Sequence, residues 1–114
     1  MKILITGGAG YIGSHVVKLL LENTNNDIVV IDNLITGFQS TIDTLQSIRE
    51  LKFIQADLSN WDMIEGIFKS ENFDAIIHFA ASLIVSESVE NPLKYYLNNT
   101  VNTTNLVKLA TKYN

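Results

Sequence analysis

The stretch MKILITGGAGYIGSH (residues 1–15) places four glycines, Gly7, Gly8, Gly10 and Gly13, within seven positions, behind one apolar run and ahead of another. A glycine inside a regular element costs roughly 0.5–1 kcal/mol relative to alanine. So dense a run marks a place where side chains would be in the way. KILIT (2–6) has the length and unbroken apolarity of a fully buried strand. Residues 11–22 read as a helix with Ile12, Val16, Leu19 and Leu20 on its inner side, ended by the polar stretch 23–27. Gly8, Gly10 and Gly13 satisfy G-x-G-x-x-G, and Gly7, Gly10 and Gly13 satisfy G-x-x-G-x-x-G. Between a strand and a helix, such glycines allow a tight turn, a close approach of a pyrophosphate and close helix–strand packing. The free N–H groups of the helix's first turn, with about half a positive charge from its dipole, would face the phosphates. The same glycines also suit a plain tight turn, so the remainder of the chain has to decide.

Working outward, short apolar runs alternate with helix-like segments. DIVVID (27–32) is the second strand, LKFIQAD (51–57) the third and DAIIHFAA (74–81) the fourth. Helices are expected over 40–50, with Ile42, Leu45 and Ile48 spaced by three, and over 61–69, with Ile64, Ile67 and Phe68. A long helix is expected from Asn91-Pro92 to about Lys112, since Asn caps and Pro suits the first helical position. Continuous apolar strands imply burial on both sheet faces, and strands alternating with helices imply parallel pairing. The expected fold is α/β, a Rossmann-type doubly wound parallel sheet of four βα units in the order 3-2-1-4.

Asp32 supplies the second half of the glycine pattern. It ends the second strand nineteen positions after Gly13, where an acid hydrogen-bonds the adenine ribose hydroxyls and repels a 2′-phosphate. The spacing points to NAD rather than NADP; the plainer reading is a strand-end acid capping a turn. Asp57 recurs at the end of the third strand, where it can accept from an adenine amino group or simply open a helix. On the last helix Asn91, Tyr95, Asn98, Asn102 and Asn105 form a polar but uncharged stripe, facing a ligand, a subunit or solvent. His78 and His15 read as hydrogen-bonded core histidines rather than catalysts. Ser86, Glu87 and Ser88 suit either substrate contact or a helix cap.

Composition narrows the classes. The 114 residues suit one domain, large enough to bury a core. A net charge of −4 disfavours nucleic acid. No apolar run approaches a membrane span. The absence of cysteine rules out a disulfide framework and fits a cytoplasmic setting.

With ITGGAGYIGSH (5–15), IDNL (31–34), Asp57-Leu58, IIHFAA (76–81) and ESVENPLKYYLNN (87–99) together, the chain resembles the extended short-chain dehydrogenase/reductases. Within that superfamily it resembles the UDP-galactose 4-epimerases. The glycine loop alone fits many sugar-nucleotide enzymes, 4,6-dehydratases among them, and also a non-catalytic dinucleotide-binding module. IDNL combined with ESV-x-x-P-x-x-YY-x-NN is more specific. The resemblance implies that Gly7, Gly10, Tyr11, Ile12 and Gly13 hold the pyrophosphate side of NAD. It implies that Asp32 and Asn33, with Thr36 and Gly37, surround the adenine ribose and its phosphate, and that Asp57 and Leu58 flank the adenine. Phe79, Ala80 and Ala81 would line the path to the nicotinamide, and Asn98 would reach the cofactor from the long helix. Many such epimerases carry a lysine where this chain has Leu83. No metal site is implied.

The resemblance also implies a catalytic Tyr-x-x-x-Lys pair. Tyr11 is followed at four by His15, Tyr95 by Asn99 and Tyr96 by Thr100, so the pair is not in residues 1–114. The chain reads as the partial NAD-binding domain of a longer enzyme, ending before a fifth strand. The catalytic segment and the C-terminal UDP-sugar domain would lie beyond it, and this part would be inactive by itself. A homodimer built on the long helix is implied for the whole protein.

Overall fold

The computed structural model describes residues 1–113. Four parallel strands, β1 (Lys2–Thr6), β2 (Asp27–Asp32), β3 (Lys52–Gln55) and β4 (Ala75–His78), form one sheet in the order β3-β2-β1-β4. This is the expected Rossmann-type arrangement. Leu4 sits opposite Val29 on one side and Ile76 on the other, so β1 is central. Helices α1 (Tyr11–Asn23), α2 (Gln39–Ile48) and α3 (Trp61–Glu71) connect the strands. A short α4 (Val85–Glu90) precedes a run comprising α5 (Pro92–Tyr95), a π-helical turn (Tyr96–Val101) and α6 (Asn102–Lys112).

The unbroken apolarity of β1 and β2 follows from a helical layer on each face. Ile3, Ile5, Ile28 and Val30 pack with Val17 and Leu21 of α1 and Ile42 and Leu45 of α2. Leu4, Val29 and Ile31 point the other way, onto Ile64, Ile67 and Phe68 of α3 and Leu106 and Leu109 of α6. Alternate residues of one strand thus serve two cores. Asn60 caps α3 by accepting from the Met63 N–H (3.3 Å), and Asn91 caps α5 by accepting from Lys94 N–H (3.3 Å), with Pro92 in the first turn.

Several boundaries differ from the expectations. β3 and β4 are four residues each, and Phe79, Ala80 and Ala81 continue past the strand. The buried line of α1 is Gly13, Val17 and Leu21, whereas Ile12 and Leu19 are 62% and 59% exposed. The cause is Gly13, which seats the helix against the Gly7–Gly8 backbone and so sets its rotation. His15 lies exposed on the outer side of that helix, bonded to its own Tyr11 carbonyl rather than placed in the core. Ile48 is partly exposed at the end of α2. The long C-terminal helix is interrupted by the π turn, and Ser86, Glu87 and Ser88 lie within a separate helix, α4.

At the amino edge of the sheet the buried Glu71 carboxylate is shared by Lys2 of β1 (3.1 Å) and Lys52 of β3. These partners hold its carboxyl below the usual range, Lys52 contributing most and burial opposing. A second carboxylate, Glu65 on α3, accepts from Lys112 Nζ (2.7 Å) and the Tyr113 hydroxyl (2.6 Å) and so ties α6 to α3. Its carboxyl is lowered to about 2, Lys112 first and Tyr113 second.

Two predictions follow from these helices. A methyl group at Gly66 of α3 would meet nothing within 4 Å, so Gly66→Ala raises stability by about 0.5–1 kcal/mol, read as a higher urea midpoint. Glu65 has a depressed folded-state pKa. Its stabilisation is complete above the ordinary carboxylate value and is lost as pH falls towards about 2. Glu65→Gln therefore flattens the acid limb of a stability–pH curve between about pH 4.5 and 2, measured by thermal melting.

Candidate functional site

The carboxyl ends of β1, β2 and β4 meet at the glycine loop, the edge at which open α/β sheets take ligands. The loop is shaped by contacts that leave no room for side chains. Gly7 has φ +72°, and a Cβ there would stand 2.6 Å from the Ala80 nitrogen and 2.7 Å from the Phe79 carbonyl carbon. A Cβ on Gly13 would run into the Gly7 carbonyl, and one on Gly8 would meet a Val30 methyl at 2.6 Å. The turn closes with the Gly10 N–H donating to the Gly7 carbonyl (3.1 Å). Gly10 is also the N-cap of α1. It offers no side-chain cap, and the first turn carries no acid, so the positive helix end stays open to an anion. Tyr11 and Ile12 are exposed at the mouth.

Asp32 leaves β2 buried, 9% exposed, and turned towards this loop. One carboxylate oxygen accepts from the Ala9 N–H (2.9 Å) and the other from the Leu34 N–H (2.9 Å). Two acceptor atoms with two lone pairs each retain capacity for further donors. The chain then turns through Leu34, a non-glycine at φ +59°. Asn33 is spent within the protein: its Oδ1 accepts from the Ile35 N–H (3.0 Å), and its Nδ2 donates to Asp57 Oδ2 (2.8 Å). Asp57 also accepts from the Ser59 N–H (2.8 Å). Its carboxyl lies below the usual range, chiefly through hydrogen bonds from Ser59, then Asn33, against a small opposing effect of burial. Gly37 returns to the loop, where a Cβ would meet Ala9 Cβ at 2.7 Å, while Thr36 is exposed.

Beyond β4, Phe79 packs against the α1–α2 core and Ala80 against the α3–α6 core, while Ala81 is exposed. Leu58 is buried in the core, so its side chain faces Ile64 and Phe68 rather than the cleft. Asn98 Nδ2 donates to Ser82 Oγ (2.8 Å). The structure thus brings the glycine loop, Asp32, Gly37 and the Phe79–Ala81 segment together around one edge. Asn33 and Asp57 sit beside it as a bonded pair.

The uncharged stripe on the last helix turns inward at several points: Tyr95 bonds Ile84 and Glu87, and Asn102 accepts from the Trp61 indole (3.1 Å). Asn99, four residues after Tyr95, also reaches Ser82. His78 is a bonded, part-buried histidine between Thr6 Oγ1 (2.5 Å) and Thr103 Oγ1 (2.9 Å), its pKa lowered by burial. Leu83 is exposed. Among the described residues no cluster of histidine, cysteine or acidic side chains is placed to hold a metal.

A family model described as GDP-mannose 4,6 dehydratase matches residues 4–114. The chain belongs to that family. Its similarities within the family run to epimerases of the extended short-chain dehydrogenase/reductase type. It is 47% identical over 100 residues to the UDP-glucose 4-epimerase of Lacticaseibacillus casei, covering 88% of this chain and 28% of that one. The UDP-Glc/GlcNAc 4-epimerase from Campylobacter jejuni superposes with a TM-score of 0.96 at 52% identity, over 98% of this chain and 34% of that one. The Bifidobacterium longum UDP-glucose 4-epimerase, solved in complex with NAD+ and UDP, superposes with a TM-score of 0.90 at 32% identity over 99% of this chain and 34% of that one. This family member thus spans about a third of the length of such relatives.

Gly7→Ala is expected to destabilise this family member by about 2–3 kcal/mol, because it forces both a left-handed backbone and a backbone clash. Gly10→Ala costs less, since Gly10 has φ −78° and its added Cβ would be 3.3 Å from the nearest atom. Urea denaturation of the two variants side by side checks the order.

Proposed function

We propose that residues 1–114 form part of the NAD-binding domain of a UDP-glucose 4-epimerase, a cytoplasmic enzyme interconverting UDP-glucose and UDP-galactose. One observation carries the cofactor reading: a buried carboxylate, Asp32, is fixed by the Ala9 amide beside an uncapped helix end and a loop in which Gly7, Gly8 and Gly13 leave no space for a Cβ. The cradle fits a dinucleotide. Gly7, Gly10, Tyr11, Ile12 and Gly13 offer backbone to a pyrophosphate. Asp32 has lone pairs left for the ribose hydroxyls, and its charge repels a 2′-phosphate. Thr36 and Gly37 close the ribose side, Asp57 with Asn33 the adenine side, and Phe79, Ala80, Ala81 and Asn98 the nicotinamide side.

The chemistry such a cofactor supplies is reversible hydride uptake from C4 of the sugar. The residues of this chain orient it, the glycine loop at the pyrophosphate and Asp32 at the ribose; the proton-handling Tyr-x-x-x-Lys pair and the sugar pocket belong to the part of the whole enzyme outside residues 1–114. The epimerase reading is supported by the relatives' names and by the ESV-x-x-P-x-x-YY-x-NN match. Leu93, Leu97, Val101 and Val107 stand exposed along the last helix, which supports pairing of two whole enzymes through that helix.

Titration calorimetry with NAD and NADP tests the reading. NAD binds at least about tenfold more tightly than NADP, and Asp32→Asn narrows that ratio by weakening NAD and relieving the repulsion of the 2′-phosphate. Equal affinity of the unsubstituted chain for the two dinucleotides would refute it.

A further inference from the structure

The segment after β4 is held from one side by a single helical face. Tyr95, Asn98 and Asn99 stand at i, i+3 and i+4, the spacing that shares a face. The Tyr95 hydroxyl accepts from the Ile84 N–H (3.0 Å) and lies 2.8 Å from both the Ile84 carbonyl and Glu87 Oε2. Asn98 holds the Ser82 hydroxyl. Asn99 does something different: its Oδ1 accepts from the Ser82 N–H (2.8 Å) and its Nδ2 donates to the Ser82 carbonyl (2.9 Å). One amide therefore satisfies both backbone groups of one loop residue, as a neighbouring strand would.

The π turn over Tyr96–Val101 contains both asparagines. The extra residue in that turn lets two consecutive side chains address the same loop residue, and π turns concentrate at functional sites. Ser82 lies two residues beyond Ala80, whose nitrogen touches the Gly7 position. The Phe79 N–H donates to the Thr6 carbonyl (2.9 Å). The Phe79–Ser82 stretch is thus fixed at its start by β1 and at its end by Asn99.

We infer that Asn99 is a positioning residue of the dinucleotide site, whose two-point hold on the Ser82 backbone sets the course of Phe79–Ala81 past the glycine loop. The inference rests on the dinucleotide reading above and adds a residue that does not itself touch the ligand. Aspartate has nearly the same shape but no donor at neutral pH, so Asn99→Asp keeps the bond to the Ser82 N–H and turns a carboxylate oxygen on the Ser82 carbonyl. Asn99→Ala removes both bonds.

The test uses the whole 114-residue chain, with NAD as probe at pH 7.5. Two measurements are made on each variant: the dissociation constant for NAD, and amide hydrogen exchange without ligand. Asn99→Asp and Asn99→Ala are expected to weaken NAD binding about tenfold, which corresponds to about 1.4 kcal/mol. Asn99→Ala is also expected to speed exchange at Ser82 while the amides of β1 and β2 keep their protection. NAD affinity within twofold of the unsubstituted chain in the folded Asn99→Asp variant would overturn the inference. So would a loss of protection spread evenly over the sheet, the mark of general destabilisation. If the unsubstituted chain itself does not bind NAD, the dinucleotide reading falls. Unchanged Ser82 exchange would then separately refute the hold by Asn99.

Discussion

The arrangement depends on one close approach. At Gly7 the backbone leaving β1 passes so near the backbone leaving β4 that no Cβ fits between them, and at Gly13 the first helix comes down onto the Gly7 carbonyl. These two contacts set the distance of α1 from the sheet and the direction of its axis. They also decide where the open N–H groups of the helix point. Packing and ligand geometry are therefore one constraint here. The glycines that let the helix dock are the glycines that leave room in front of it.

From that point the carboxyl edge is assembled by polar groups bonding backbone, and the cores behind it by apolar groups. Asp32 holds Ala9, Asn33 and Asp57 hold one another and the turns after β2 and β3, and Asn99 holds Ser82. Each of these side chains satisfies amides that the end of a strand leaves exposed, which is why they cluster just past the last sheet pairings. The two apolar layers need no such adjustment. Alternate residues of β1 and β2 feed them, and the sheet order brings the most apolar strands to the centre.

Most of the fold was legible because it rests on short-range patterns. Unbroken apolar strands announced burial on both faces, and alternating strands and helices announced parallel order. The Asn91-Pro92 pair marked a helix start that the structure shows. The edge of the candidate site was legible for the same reason: its glycines and Asp32 lie at fixed spacing from strand ends. What escaped depends on tertiary contact. The face of α1 was misread by one position because Gly13, a residue with no hydrophobic weight, sets the rotation. The π turn carries neither Gly nor Pro, so no residue type in it marks the extra residue. Asn99 went unread with it, although it stands four residues after Tyr95, because nothing in its spacing names the Ser82 backbone as its partner. Leu58 looked like a lining residue beside Asp57, but alternation along the chain turns it into the core.

The Lys2–Glu71–Lys52 cluster lies at the far end of the strands from the glycine loop. It clips the central strand, an outer strand and the third helix together where no ligand has to enter. The molecule therefore has a fastened pole and a working pole. The ion pairs at the fastened pole do not depend on the loops at the opposite one.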